Sequence, residues 1–372
     1  MMKERYLMKQ VQKDLKQKMV FVGGPRQVGK TTLAKTLLGH DQSGYLNWDV
    51  DEHREKILKG ELPVSSIWAF DELHKFRSWR NFLKGLYDAR RRGQQILVTG
   101  SGRLDFYRFG GDSLQGRYHY LRLHPFSAAE LRLRSNKDFQ DLLTLGGFPE
   151  PYLGGSKVGA KRWSREYRSR LIRDDISSLE HVQDVGKLEL LMMRLPDLVG
   201  SPISINALRE DLRVSHKTLS HWLLVLERLY AIFRLSPYGS AKIRAVQKEQ
   251  KHYHFDWSLV KVPGLRFENL VAMHLLKWVH FQEDAFGRGI ELRYFRDVRG
   301  QEIDFVVVED GRLLNLVECK WDDTPPAPAL RYLKARVPDC QAWQISAIGK
   351  KDYVTPDGIR VCPALRFLEG LT

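Results

Sequence analysis

Two sets of residues in this chain have the types and spacing to do chemistry on phosphate esters. The first is Gly24-Pro25-Arg26-Gln27-Val28-Gly29-Lys30-Thr31-Thr32. It fits the G-x-x-x-x-G-K-[ST] pattern between an apolar strand and a helix, the context that the pattern requires. The glycines let the backbone curl so that its N–H groups face phosphate oxygens, and the following helix adds its positive amino end. Lys30 is expected on the β- and γ-phosphates and the Thr31 hydroxyl on Mg2+. The strand Ile67–Asp71 ends in two acids at the edge where ligands bind in such sheets. Asp71 is expected to hold magnesium through water, and Glu72 to orient and polarise the attacking water. Thr99 and Ser101 end the next strand, as a γ-phosphate sensor or as an ordinary turn. Arg117 precedes the fifth strand, placed either for a neighbouring subunit's nucleotide or for the surface.

The second set lies near the carboxyl terminus. Glu268 opens an apolar helix, Asp304 lies in the strand-like Glu302–Val308, and Glu318 and Lys320 sit in Leu316-Val-Glu-Cys-Lys320. Residues i and i+2 of a strand share a face, so Glu318 and Lys320 point the same way. With Asp304 on an adjacent strand, two carboxylates and an ammonium converge. That grouping suits metal-dependent phosphodiester cleavage. Asp304 and Glu318 would bind Mg2+ or Mn2+, Glu268 would reach the metal from its helix, and Lys320 would orient the nucleophile or stabilise the oxyanion. The other reading is a fold that keeps these residues without cutting.

Several elements must position these groups. Met19–Val22, Gly44–Asp49, Ile67–Asp71, Gln95–Thr99 and Tyr118–Leu123 read as strands, with helices over Thr31–Leu38 and Trp79–Arg92. The alternation predicts an α/β fold with a parallel sheet. From Ser127 the sequence turns helical, with Gly146-Gly-Phe-Pro149 as a turn and amphipathic helices over Lys161–Glu180 and Gly186–Val199. Ser204–Leu212, a turn, and His216–Leu229 form a helix-turn-helix pattern, followed by strand pieces at Ile232–Leu235 and His252–Phe255. His216, Lys217, Ser220 and His221 would start a recognition helix, with Lys242, Arg244, Lys248 and Lys251 nearby. The alternative is a packing module that never meets DNA. The bases Lys161, Arg162, Arg165, Arg168, Arg170 and Arg173 are spread around their helix, which leaves a solvated helix and a nucleic-acid track both open.

The 372 residues are 43% hydrophobic with a formal net charge of +15, which suffices for several cores and favours anionic partners, DNA above all, with a membrane surface as the rival. No apolar run is long enough to span a bilayer, and Met1–Lys18 lacks the apolar core of a signal peptide. Cys319, Cys340 and Cys362 show no metal-ligand spacing. A soluble cytoplasmic protein that does not enter membranes is the simplest expectation.

The GPRQVGKTT loop, the Phe-Asp-Glu strand end, Thr99-Gly-Ser101 and Gly116-Arg117 before Leu123–Leu131 (L-x-P-F-S-x-x-E-L) resemble prokaryotic AAA+ ATPases. Gly146–Pro149 and the Arg173-Asp174 pair fit that group's helical lid. The resemblance implies ATP as the nucleotide, and homo-oligomeric rings with nucleotide between subunits. Phe-Glu268-Asn, Glu302-x-Asp304-Phe and Glu318-x-Lys320, in this order, resemble the restriction-endonuclease-like PD-(D/E)XK domain often fused to these ATPases, long of unknown function. The expected layout is an ATPase core over 1–130, a lid over 131–200, a winged-helix-like part over 201–260 and a nuclease-like α/β domain over 261–372. The expected activity is ATP-dependent DNA processing on branched or joined DNA. The alternative is an ATP-driven switch whose last domain binds DNA or protein without cleaving it.

Overall fold

The computed structural model describes residues 4–101, 114–176, 184–239 and 250–371, the side chains of 174–176 excepted. They form two compact units, the first built mainly from residues 1–125 and the second from most of the remainder.

The first unit is a five-stranded parallel sheet. Its strands are β1 (Met19–Gly23), β2 (Tyr45–Asn47), β3 (Ile67–Asp71), β4 (Gln95–Thr99) and β5 (Tyr118–Arg122), in the order β2-β3-β4-β1-β5. All neighbours run parallel. Parallel pairing buries strands on both faces, which is why β1 and β3 read as continuous apolar runs. Phe21, Leu46, Phe70, Ile96 and Val98 form one core with Trp79 and Leu83 of α4 (Trp79–Ala89). Each buried side chain of this size contributes about 1.5–3 kcal/mol.

The order matters for the site. Thr99 is in register with Val22 on one side and Asp71 on the other. The loop after β1, the end of β4 and the end of β3 therefore lie side by side at the carboxyl edge.

Two helices appear where none was expected: α1 (Met8–Leu15) and α3 (Asp51–Lys59), with α2 (Lys30–Leu38) between them. Leu7, Val11 and Leu15 recur every four residues in the charged amino-terminal stretch, and all three are buried. The expected strand Gly44–Asp49 shrinks to β2. A Cβ on Gly44 would lie 2.1 Å from the Ile67 carbonyl oxygen, so glycine is needed where β2 begins.

The second unit starts with short helices: α5 (Ala128–Leu131), α6 (Asn136–Leu145), α7 (Pro149–Gly154), α8 (Lys157–Arg170), α9 (Val185–Arg194), α10 (Ile205–Leu212) and α11 (His216–Arg228). They explain two motifs. Ser127 and Glu130 form a capping box on α5. The Lys277 ammonium donates to Ser127 Oγ at 3.0 Å and pairs with the buried Glu130. In Gly146–Pro149, Gly146 has φ +83°, where a Cβ would press on Asp256 Oδ1 at 3.1 Å. Phe148 packs on Trp163 and Tyr167, which stack on each other 4.9 Å apart.

The two-stranded pair β6 (Ile232–Leu235) and β7 (Lys251–His254) precedes the long helix α12 (Pro263–Phe286). A six-stranded sheet follows: β8 (Ile290–Arg296), β9 (Glu302–Glu309), β10 (Arg312–Lys320), β11 (Gln341–Ser346), β12 (Tyr353–Val354) and β13 (Ile359–Pro363), ordered β12-β13-β11-β10-β9-β8. The first three strands form an antiparallel meander. Helix α13 (Pro328–Arg336) then crosses over so that β11 lies parallel to β10. Ile303, Val306, Leu316, Leu330 and Ile359 fill the core under α13. Helix α14 (Ala364–Leu368) ends the fold.

Candidate functional site

The loop between β1 and α2 has the backbone that its glycines imply. Gly24 sits at φ +145°, with its Cβ position only 2.2 Å from the Leu123 carbonyl oxygen, so no larger residue fits. Gln27 (φ 57°) and Gly29 (φ 100°) are left-handed and curl the loop into the helix. Val28 is buried beneath it, while Arg26 and Gln27 lie at the rim. Lys30 is buried, and its ammonium donates to the carbonyls of Gly24 at 2.9 Å and Pro25 at 2.6 Å. These contacts hold the cation beneath the loop that has to surround phosphate. The first-turn N–H groups of α2, from Lys30 to Thr32, start a helix and are oriented for an anion.

Asp71 collects three hydroxyls. Its Oδ2 accepts from Thr31 Oγ1 at 2.6 Å and from the Tyr45 hydroxyl at 2.7 Å, and its Oδ1 accepts from Thr99 Oγ1 at 2.7 Å. Thr31 is the group expected to touch magnesium, so the Thr31–Asp71 pair stands where a metal's ligand and its outer carboxylate belong. Burial, and then Asp71, hold the Tyr45 phenol well above its ordinary pKa.

Glu72 follows with φ 56°, and its N–H donates to the Thr99 carbonyl at 2.9 Å. Its carboxylate lies 3.5 Å from the Lys75 ammonium and 3.6 Å from the His74 imidazole. Burial pushes the Glu72 carboxyl up, against the pull of Lys30 and then Lys75. A carboxylate raised by burial and close enough to feel Lys30 suits a general base beside the phosphates. Ser101 is buried two residues beyond Thr99.

The residues fit magnesium-nucleotide: curled amides and Lys30 for phosphate, the Thr31–Asp71 pair for the ion, and Glu72 for water. Arg117 is elsewhere. It precedes β5 at the opposite edge of the sheet and forms a two-pronged pair with Asp88 at 2.9 and 3.1 Å. It does not reach the nucleotide site of its own chain.

Sequence reasoning missed two groups at this site. Tyr45 begins a strand whose length was misjudged. Arg5 is buried and donates to the carbonyls of Val28 in the loop and His124 after β5. The spacing of Leu7, Val11 and Leu15 was the available signal for the helix that follows Arg5.

The acids near the carboxyl terminus also converge. Asp304 and Glu318 lie on antiparallel neighbours just past the Phe305–Val317 pair. Each replaces a ladder bond: Cys319 N–H donates to Asp304 Oδ2 at 2.8 Å, and Asp304 N–H to Glu318 Oε2 at 3.3 Å. Lys320 donates to Glu318 Oε1 at 2.8 Å. Glu268, on α12, accepts from the Tyr253 hydroxyl at 2.7 Å. Burial, and then the charge of Asp304, push Glu268 to about 8 and Glu318 to about 7; Asp304 is itself raised by burial.

An unforeseen cation completes the group. Lys251 of β7 is 1% exposed; its ammonium lies 2.5 Å from Glu302 Oε1 and 3.8 Å from Glu268 Oε1. Lys251 is therefore not a surface base for DNA, as the sequence suggested. With two lysines, two backbone amides and a phenol on its oxygens, the cluster does not fit a divalent ion. Among the described residues no group of three or more His, Cys, Asp or Glu is arranged to hold one. Glu268, Asp304 and Glu318 are brought together, with Tyr253, Cys319 N–H and Lys320 on their oxygens.

The helix-turn-helix residues fold as expected. Ser204 caps α10, and Ser215 Oγ accepts from Thr218 N–H at 3.0 Å in the first turn of α11. His216, Lys217 and His221 are exposed. Lys242, Arg244 and Lys248 lie outside the described residues, as does the Asp174 side chain. On α8 the bases are not evenly spread: Trp163, Ser164 and Tyr167 form a buried face, while Lys161, Arg162, Arg165 and Arg170 are exposed.

Comparison with known proteins finds three matching families along the chain. Residues 16–132 match the family described as AAA domain. Residues 136–265 and 263–367 match two domains of unknown function, DUF8612 and DUF4143. Uncharacterized proteins of Mycobacterium tuberculosis and Mycobacterium bovis are each 22% identical over 366 residues, covering 94% of this chain and 80% of theirs. The Aeropyrum pernix ORC1 protein, solved in complex with DNA, is 14% identical with a TM-score of 0.33, covering 72% of this chain and 93% of its own. A signal-transduction ATPase with numerous domains from Pyrococcus horikoshii is 15% identical with a TM-score of 0.24, covering 75% and 47%. Among the described residues no helix is long and apolar enough to cross a membrane. The residues that match the AAA domain are thus those that form the five-stranded parallel sheet and the glycine-rich loop after β1.

Proposed function

We propose that the chain is a magnesium-dependent ATP hydrolase that works on DNA as a switch, alternating between ATP-bound and ADP-bound states. The observation that carries this reading is the Asp71 carboxylate joined to Thr31 and Thr99, with Glu72 beside it. The loop amides and Lys30 bind the polyphosphate. Magnesium, when bound, would supply positive charge against the phosphates. Thr31 and Asp71 would hold that ion, Glu72 would take the proton of the attacking water, and Thr99 and Ser101 would monitor the γ-phosphate. Arg117 sits at the far edge of the sheet, where only a second copy in a homo-oligomer, such as a ring, would bring it to a nucleotide. DNA as the partner is supported by the +15 charge and the exposed start of α11. Phosphate release is measured with and without duplex and branched DNA. Glu72→Gln is expected to retain ATP binding and lose hydrolysis by about 10²-fold or more. Normal hydrolysis by that variant rules out the role given to Glu72.

A second reading, in which the last domain cuts DNA, is favoured by the convergence of Asp304, Glu318 and Lys320. It is tested by incubating linear, forked and four-way DNA with the protein and Mg2+ or Mn2+. Cleavage that survives Lys30→Ala and vanishes in Glu318→Ala establishes it. Intact DNA together with DNA-stimulated ATP hydrolysis supports the switch.

A further inference from the structure

We propose that Lys251 is the resident cation of the carboxyl-terminal acid cluster and occupies the place that a divalent ion would take, so that the cluster is held together without metal. The inference rests on the reading in which this domain does not cut.

Glu268, Glu302, Asp304 and Glu318 come from α12, β9 and β10; Glu268 and Glu318 are largely buried, and buried carboxylates need a counter-charge from somewhere. Lys320 supplies one at the side of Glu318. Lys251 supplies the other from β7, a strand outside the six-stranded sheet. Its side chain is 1% exposed, against 12% for Glu268 and 31% for Glu302. It contacts Glu302 and Glu268, feels Asp304, and lies 5.3 Å from the Tyr294 ring centre. Burial alone would pull this lysine down, yet Glu268, Asp304 and Glu302 together leave it raised, so it is charged at any physiological pH. An ammonium in that position both satisfies and repels. It meets the acids' need for positive charge, and it leaves a divalent ion to be held against a fixed cation a few ångströms away.

The position of Lys251 in the chain supports the assignment. The strand β7 places Lys251 and Tyr253 on one face, two residues apart. Tyr253 donates to Glu268 while Lys251 reaches Glu302. The strand thus delivers a donor and a cation to the acids as one unit.

The test is direct. Nucleotide-free full-length protein is titrated with Mn2+, and free ion is read by electron paramagnetic resonance. Wild type and Asp304→Asn are expected to give the same curve up to millimolar Mn2+. Lys251→Met is expected to bind one additional Mn2+ per chain, which Lys251→Met/Asp304→Asn loses, and its unfolding temperature should rise with Mn2+ where that of wild type does not. One Mn2+ bound by wild type and lost in Asp304→Asn overturns the proposal, and so does a folded Lys251→Met that binds none. The wild-type comparison needs no Lys251 variant, so refutation stays available even where Lys251→Met does not fold. DNA cleavage by wild type that takes up no Mn2+ would sink the non-cutting reading while leaving the lysine assignment in place.

Discussion

The Tyr45 hydroxyl and the Thr31 hydroxyl share one oxygen, Asp71 Oδ2, at 2.7 and 2.6 Å. The strand β2 thus holds the carboxylate to which the proposed function gives the magnesium. Tyr45→Phe keeps the ring and removes one donor from a buried charged acceptor, a loss of about 1.5–3 kcal/mol. Thermal unfolding is expected to fall by several degrees and kcat to drop, with Thr31 and Thr99 left to hold Asp71. Because burial and Asp71 keep the phenol protonated far into alkaline pH, the Tyr45 contribution should not titrate away near pH 10. Equal kcat in wild type and Tyr45→Phe would show that the hydroxyl is not a positioning group.

Gly24→Ala places a methyl 2.2 Å from the Leu123 carbonyl oxygen, at a φ of +145°. Backbone strain of this kind costs about 1–3 kcal/mol before the contact is counted. The loop must move to relieve it. ATP affinity, read by fluorescence with a labelled nucleotide, is expected to weaken tenfold or more, with a smaller loss of thermal stability.

Lys277 and Glu130 are each under 4% exposed as side chains. Removing one partner leaves the other charge buried, which costs about 3–5 kcal/mol. Lys277→Met should therefore lower the denaturation midpoint sharply. Lys277→Met/Glu130→Gln should recover part of the loss, a difference that a double-mutant cycle in urea resolves.

Stability should also depend on pH through Glu318. Burial raises its folded-state value from the ordinary 4.5 to about 7. The folded protein then binds more protons than the unfolded chain between those values, so stability falls as pH rises across that window. Glu318→Gln removes the titration. Its unfolding temperature relative to wild type is expected to move in the variant's favour from pH 5 to pH 8. Parallel curves would contradict the burial of this carboxyl.

The loop and the acid of the proposed nucleotide site were legible in the residues because their pattern is local. Gly24, Lys30 and Thr31 fall within one short motif, and Asp71 ends a strand whose apolar run announces it. Tyr45 and Arg5 were not legible, since neither belongs to a pattern and each reaches the site only once the sheet has formed. The carboxyl-terminal acids were found by strand periodicity, which correctly put Glu318 and Lys320 on one side. Lys251 was misjudged because a lysine among basic neighbours looks solvated. Only the packing of β7 against α12 and β9 shows that it is buried among carboxylates. The positions of β11, β12 and β13 were not read at all, because they follow a proline-rich loop and carry mixed patterns.

The most direct test of the account is a calorimetric titration of the full chain with Mg-ATP, wild type beside Lys30→Ala. Binding by wild type at one site per chain, weakened at least tenfold in Lys30→Ala, is the predicted result. No heat with wild type, or equal binding by both proteins, would contradict it.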